Sequence, residues 1–315
     1  MAAEDFEKEC AMLSRLDHPC VLQFYGCGKL KNGNGFIVTE IMALGSLRGV
    51  LQDSHRAIPW SSRHSIALQL AMGMEYLHDV PIVHRDLKSA NVLLDSHMAA
   101  KVADFGTSRF FRRKAPTMLY SAFTGLAQRA PSVGGAGMLL SGMNTPETAV
   151  LSAATMAVGV VDAHGTMTKA TGTLLWMAPE VFRGDCNYGG AADVYSYGII
   201  LWEIATRLTP WAAVLPDNAE FIEIVQELTK FLQTGHRPSI PETVAATQPA
   251  FVAVLQRCWQ GDPAERPTFT EVVAQLRQRS DDRTKNPTPS RVRNATVAKP
   301  AASELMQPLL DESYY

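Results

Sequence analysis

An α+β fold is what this sequence predicts, and three observations carry the expectation. A short apolar repeat of helical spacing opens the chain, with Phe6, Cys10, Leu13 and Leu16 recurring every three to four positions. Two strand-like runs follow, at 20–29 and 35–41, joined by the Gly/Asn turn signal of 30–34. After that the chain alternates between helical periodicity and polar loops. Its segment 191–206 is apolar nearly all round, which is the pattern of a helix buried at the centre of a domain.

Each element can be justified in order. Residues 4–16 read as the first helix, with Glu9 on the edge of its apolar face between Phe6 and Leu13. Gly45 and Ser46 offer a helix start at 46–51. Residues 63–78 form an amphipathic helix whose stripe is Ile66, Leu70, Met74 and Leu77. Polar loops are expected at 84–91 and 104–106. Residues 110–170 are rich in Ala, Gly, Ser, Thr and Met, with few charges and no sustained period, so they read as a mostly disordered loop insertion. Order resumes near Thr171. After the buried helix comes an amphipathic segment at 216–235, with Asp217 and Glu220 as a capping pair. Two more helices are expected at 248–259 and 268–278, the second opened by a Thr268–Glu271 capping box. From Ser280 to Tyr315 the composition turns to Pro, Ser, Asn, Arg and Lys, and reads as a disordered tail.

The chain has 315 residues, 46% of them apolar and 19% charged, enough for a substantial core. A net charge of −2 gives no sign of a nucleic-acid or membrane-surface binder. The five cysteines, Cys10, Cys20, Cys27, Cys186 and Cys258, are scattered without metal spacing, as expected of reduced thiols in a cytoplasmic protein. The charged start, Glu4 to Glu9, does not read as a signal peptide. The longest apolar stretch, 149–161, is too short to span a bilayer.

The chemistry is concentrated in one loop. "VHRDLKSANVLLD" at 83–95 sets His84, Arg85, Asp86, Lys88 and Asn91 inside an apolar run. His-Arg-Asp-Leu-Lys-x-x-Asn at 84–91, Asp-Phe-Gly at 104–106 and Ala-Pro-Glu at 178–180 are weak signals alone, but their order and spacing are specific. Together they resemble the eukaryotic protein kinase family, from about Phe6 to Leu276 without the insertion. "HRDLKSAN", "GTLLWMAPEV", "ADVYSYGIILWE" and "CWQGDPAERP" look most like the tyrosine-kinase-like group of serine/threonine kinases, the Raf and mixed-lineage relatives.

That resemblance implies a two-lobed fold: a kinase domain over 1–279, with a partial small lobe at 1–42 and a mainly helical large lobe at 43–279. It implies transfer of the ATP γ-phosphate to a protein hydroxyl with Mg²⁺. Asp86 would take or orient the substrate proton, and Lys88 would stabilise charge on the transferred group. Asn91 and Asp104 would hold the metal. Thr39 would be the gatekeeper, Glu40 to Met42 the hinge at adenine, and Leu93 the adenine floor. Leu13, Phe24, His84 and Phe105 would stack as an apolar spine. Glu180 and Arg266 would form a buried ion pair, and Asp193 would anchor the catalytic loop. Thr173 would contact that loop, and Thr171 is the expected phosphosite for an upstream kinase. Lys88 favours a serine/threonine enzyme over a tyrosine-specific one.

The sequence departs from the family in two places. Residues 1–315 contain no G-x-G-x-x-G, and no strand lysine precedes Glu9, which by position is the helix glutamate that such a lysine pairs with. A truncated small lobe is therefore expected, with one helix and two antiparallel strands. Three explanations stay open: a fragment, a misassigned start, or a degenerate kinase acting as a scaffold. On this reading, residues 1–315 alone bind Mg·ATP weakly and transfer little phosphate. The second departure is the activation segment, since 76 positions separate Asp104 from Glu180. It reads as either a regulatory insertion or an unspliced stretch.

Overall fold

The chain opens with α1 (Ala3–Leu13) and continues through β1 (Phe24–Lys29) and β2 (Gly35–Thr39). Next come β3 (Gly45–Ser46), α2 (Leu47–Gln52), α3 (Trp60–Asp79) and β4 (Ile82–Val83). A 3-10 turn (Ser89–Asn91) leads into β5 (Val92–Leu94), β6 (Ala100–Val102) and β7 (Arg109–Phe110). Helices α4 (Pro179–Phe182), α5 (Gly190–Thr206), α6 (Phe221–Gln233), α7 (Glu242–Thr247) and α8 (Pro249–Cys258) follow. A 3-10 turn (Pro263–Glu265) precedes α9 (Phe269–Arg283). The structure, a computed structural model, describes residues 3–106, 108–110, 173–184, 189–215 and 221–283. Phe110, expected to begin the insertion, is instead paired in β7, and residues 280–283, expected to begin the tail, instead continue α9; the rest of the insertion and tail, Thr171 and the Asp217–Glu220 pair fall outside these residues.

Most of these elements follow from local sequence. Thr268 and Glu271 form the expected reciprocal box at the start of α9. The Thr268 amide donates to Glu271 Oε2 at 2.7 Å, and the Glu271 amide donates to Thr268 Oγ1 at 3.3 Å. Ser46 caps α2 by accepting from the Gly49 amide. Gly33, at φ 84°, supplies the left-handed residue of the β1–β2 turn. The first helix is shorter than the expected 4–16. It stops at Leu13, and the Arg15 and Leu16 amides reach back only three residues, tightening the last turn while Leu16 stays buried. The first strand run contracts to 24–29. Val21 instead makes an isolated bridge to Val102, and the Gln23 amide is taken by the Glu40 carboxylate.

The described residues divide into two compact units. The first takes residues up to Tyr76, the stretch Ser89 to Asp104–Gly106, and α9. In it β1 and β2 pair antiparallel, and β5 lies between β3 and β6 in a second small sheet. Helix α3 belongs to this unit up to Tyr76. Gln69 accepts from the Ala100 amide, and the Tyr76 hydroxyl accepts from the Asp17 amide. Ile66, Leu70 and Met74 are fully buried, as their stripe predicts. The expected lobe boundary at 42/43 falls inside this unit.

The second unit takes Leu77–Lys88 and the described residues from Ser108 to Arg266. Its core is α5, in which 13 of 17 residues are buried. That count answers the expectation of a central buried helix. Helix α8 packs on α5 so closely that a Cβ at Gly198 would lie 3.0 Å from Cys258. Trp202, Trp211 and Trp259 are buried, as core aromatics should be. No helix among the described residues is long and apolar enough to cross a membrane.

Candidate active site

The second unit builds the loop around Asp86 from α5 outward. Asp193 sits in the first turn of α5 and is 1% exposed. Its Oδ2 accepts from the His84 amide at 2.9 Å and its Oδ1 from the Arg85 amide at 3.0 Å. His78 Nε2 lies 3.0 Å from the same Oδ2. Gly190 makes room for this contact, because a Cβ there would stand 2.6 Å from the His78 ring. Burial alone would raise the Asp193 carboxyl. The hydrogen bond and charge of His78, with the contributions of His84, outweigh burial and hold it below its usual value.

Those two amide bonds fix an unusual backbone. Arg85 has φ 69°, a left-handed conformation that a long side chain rarely adopts. The residue after this kink is Asp86. Lys88 Nζ donates to Asp86 Oδ2 at 2.7 Å and to Thr173 Oγ1 at 2.8 Å. Thr173 therefore touches the loop as expected, through Lys88. His84 is fully buried and its Nδ1 accepts from the Asp86 amide, so it is a packed support of the loop. The Ser108 hydroxyl closes the other side by donating to the His84 carbonyl. A small cavity of about 20 Å³ lies here, walled by Arg85, Asp86, Thr173, Trp176, Met177 and Ser196 among others.

Glu180 and Arg266 meet as a two-pronged buried pair, at 2.6 Å and 2.8 Å. The remaining guanidinium donors go to the carbonyls of Ala191, Gln260 and Gly261. This satisfies the geometric demand that a buried charge be both paired and hydrogen-bonded.

The first unit holds the other expected residues. Asn91 ends the 3-10 turn, and its carbonyl accepts from the Ala103 amide at 2.9 Å. The β5–β6 pairing thus carries Asn91 and Asp104 to the same end of one hairpin. Asp104 has φ 62° and is exposed, and its Oδ1 accepts only a long bond, 3.4 Å, from the Gly106 amide. Phe105 turns inward and is buried. Leu93 points away from buried Val92 and Leu94, on the half-exposed face of β5. Thr39 is half-buried at the end of β2, and its hydroxyl donates to the Glu40 carbonyl. The Glu40 side chain accepts from Lys101 Nζ at 2.6 Å and from the Gln23 amide at 2.7 Å. The Met42 carbonyl accepts from Gly45 in the turn before β3. Glu9 lies on α1, with its side chain outside the described residues.

No cluster of three or more His, Cys, Asp or Glu capable of holding a metal occurs among the described residues. Asn91 and Asp104, at the same end of the β5–β6 hairpin, are the expected oxygen donors. Two hard oxygen donors suit Mg²⁺, which keeps several waters and binds through few protein groups.

Sequence reasoning missed four residues that the structure brings into play: His78, Ser196, Glu203 and Lys101. Only Glu203 carried a readable signal, as a lone carboxylate in an otherwise apolar helix.

A family model described as protein tyrosine and serine/threonine kinase matches residues 1–122 and 145–276. Serine/threonine-protein kinase STY17 of Arabidopsis thaliana is 33% identical over 274 residues, covering 87% of this chain and 37% of the relative. Serine/threonine/tyrosine-protein kinase HT1 of the same plant is 34% identical over 277 residues, 87% of this chain and 54% of the relative. The human serine/threonine-protein kinase TNNI3K is 33% identical over 275 residues, 87% of this chain and 26% of the relative. The chain thus spans from a quarter to about half the length of these relatives. It belongs to the protein tyrosine and serine/threonine kinase family, and its α+β fold of few strands and many helices is that of a kinase domain.

Proposed function

We propose, from that membership, that the chain is a serine/threonine protein kinase of the tyrosine-kinase-like group. The reaction moves the γ-phosphoryl group of ATP to a serine or threonine hydroxyl of a protein. Asp86 accepts the hydroxyl proton while the oxygen attacks the γ-phosphorus. The bond to the β-phosphate oxygen breaks, and ADP leaves with that electron pair. Lys88 stabilises the charge on the transferring oxygens. Asn91 and Asp104 would hold Mg²⁺, which would supply positive charge against the phosphates. Thr39, Glu40 and Met42 border adenine and Leu93 supports it. Glu9 belongs to the phosphate side of the same pocket. Thr171 is the phosphosite for an upstream kinase.

The observation that carries this reading is the contact chain Asp86–Lys88–Thr173, which joins a half-buried carboxylate to a cation and to the segment leading to Glu180. In phosphoryl transfer the protein mainly positions groups and supplies fixed charge, and this chain of contacts does both. A cytoplasmic setting is supported by the buried thiols of Cys20 and Cys258, neither of them in a disulfide.

The test is transfer of labelled γ-phosphate from Mg·ATP to a generic serine/threonine protein substrate, by a chain extended at its start with small-lobe strands beside residues 1–315, since the shorter chain is expected to transfer little. Transfer that Asp86→Asn removes supports the reading. Transfer equal in the wild type and Asp86→Asn overturns it. Binding of Mg·ATP without transfer is the result for a non-catalytic scaffold.

A further inference from the structure

Arg237 follows the turn that closes α6 and reaches the end of α8. Its Nε donates to the Trp259 carbonyl at 2.9 Å and its Nη1 to the His236 carbonyl at 2.8 Å. Its guanidinium stands 5.3 Å from the ring centre of Tyr195. These contacts leave the Nη2 donors without an acceptor among the described residues. Arg266, 5.1 Å from the same ring, is treated differently, because its Nη2 donates to the Glu180 carboxylate at 2.8 Å. Among the described residues no carboxylate pairs with Arg237. Asp262, close by in the chain, is committed elsewhere, since its Oδ1 accepts from the Ala264 amide at 2.9 Å.

A cleft of about 350 Å³ lies beside this half-buried cation, walled by Gly235, Arg237, Gln256, Trp259, Gln260 and Gly261. Arg237 is the charged member of that wall. A Cβ placed on Gly261 would stand 3.8 Å from Arg237 Nη2, so the glycine leaves the approach to that nitrogen open. The Gln260 Nε2 donates to the Gln256 carbonyl at 3.1 Å, which leaves its Oε1 to accept. The wall therefore offers a cationic donor and a neutral acceptor. A guanidinium without a counter-charge is best met by an oxyanion, and its planar fork suits a carboxylate. One water takes about 30 Å³, so a single small ion would leave most of the cleft unfilled. A carboxylate carried on a peptide fills more of it, and the peptide N–H groups supply donors for Gln260.

We propose that this cleft is a docking site for an acidic peptide segment. Arg237 takes an aspartate or glutamate carboxylate through Nη2, and Gln260 accepts from the peptide backbone. The site lies wholly within the second unit and does not depend on the phosphate-transfer reading.

The probe is a capped peptide of alternating glycine and glutamate, and its control carries glutamine in place of glutamate. Calorimetric titration of the full chain should show the acidic peptide binding at least about tenfold more tightly than the control, the worth of one charge-assisted bond. Added salt should weaken the acidic peptide and leave the control unchanged. Gly261→Val keeps Arg237 and both its carbonyl bonds, and it fills the approach to Nη2. Gly261 is not among the left-handed glycines, so valine suits its backbone. This variant should lose about tenfold in affinity for the acidic peptide with little change in Tm. Arg237→Lys keeps the charge without the fork and should lose a similar factor. If Arg237→Lys fails to fold, Gly261→Val and the control peptide decide. Absence of binding to the wild type, equal affinity for the two peptides, or unchanged affinity in Gly261→Val each overturns the proposal. So does inorganic phosphate that binds as tightly as the acidic peptide with the same loss in Gly261→Val, because the site would then serve a free oxyanion. The expected pattern in a chain that transfers no phosphate supports the docking site while the kinase reading alone fails.

Discussion

The loop at 84–88 and the turn at 104–106 both contain a left-handed aspartate or its neighbour, yet the fold treats them differently. Arg85 is held in its conformation by two bonds to a buried carboxylate, and Asp86 is paired with Lys88. Asp104 is exposed at φ 62°, and its carboxylate accepts one long bond from two residues on. On the proposed function, the contrast separates two physical tasks. A residue that must accept a proton needs its position fixed beforehand by the protein, because misplacement costs rate directly. A residue that chelates a hydrated cation can remain in water until the cation orients it.

The largest expected effect tests that contrast directly. Asp86→Asn and Asp104→Asn should each lower the rate of phosphate transfer by a factor on the order of 10² or more. They should part company in stability. Asp104→Asn touches an exposed group and should leave Tm unchanged, whereas Asp86→Asn removes the charge facing Lys88 and should lower it. Calorimetry beside the transfer assay decides. Equal loss of Tm in both variants would erase the distinction.

The next effect concerns the frame behind the pinned loop. Arg266→Met leaves Glu180 buried without its cation, and such losses run to about 3–5 kcal/mol. Denaturant unfolding measures it. A double replacement, Glu180→Leu with Arg266→Met, should lose less than the single variant, because no charge is then stranded. A double variant less stable than Arg266→Met would show that the three carbonyls served by Arg266 matter more than the ion pair.

These pairings also mark what the sequence could reveal. Asp86, Lys88, Asn91, Asp104 and Glu180 were legible because they lie at fixed spacings within short motifs, where identity and distance along the chain are both visible. The helix at 191–206 was legible because its apolar character exceeds what a surface helix needs. The two-residue strands and α7 were not legible. Helix α7 buries none of its residues, so it has no periodic apolar face. The bonds of His78 to Asp193 and Lys101 to Glu40 span 115 and 61 positions. Nothing local distinguishes His78 or Lys101 from any other polar residue near an element's end, since their roles exist only once distant segments meet.

A smaller effect should appear with acid. The carboxyl of Asp193 is held below the usual aspartate range in the folded chain, because the hydrogen bond and charge of His78 outweigh burial. A depressed carboxyl contributes stability that is present above the unfolded value and lost as pH falls through the folded one. Wild-type stability should therefore decline below about pH 4. Asp193→Asn should flatten that decline, and at neutral pH it should cost about 2–4 kcal/mol, since the His84 and Arg85 amides lose their carboxylate acceptor. Unfolding curves from pH 3 to 7 measure both. An acid decline as steep in the variant as in the wild type would assign it to other carboxyls.

The smallest effect lies at Tyr195, between two guanidinium groups. Arg266 stands 5.1 Å and Arg237 5.3 Å from its ring centre, which suits attraction to the aromatic face. Its buried hydroxyl has no hydrogen-bond partner among the described residues. Burial raises this phenol to about 12 against the opposing pull of the two arginines. Tyr195→Phe keeps the ring and both cation contacts and deletes only the unsatisfied oxygen. At pH 7 it should change stability by less than about 1 kcal/mol, in the stabilising direction. Alkali separates the two chains further. Because the folded phenol holds its proton more tightly than the unfolded one, its stabilising contribution is complete below pH 10 and lost as pH rises through about 12. Tyr195→Phe should therefore shift alkaline unfolding upward, while raised Tyr197 and Cys258 keep part of the transition in place. A variant clearly less stable than the wild type at pH 7 would mean that the hydroxyl is bonded to something, and a bridging water would be the group to seek.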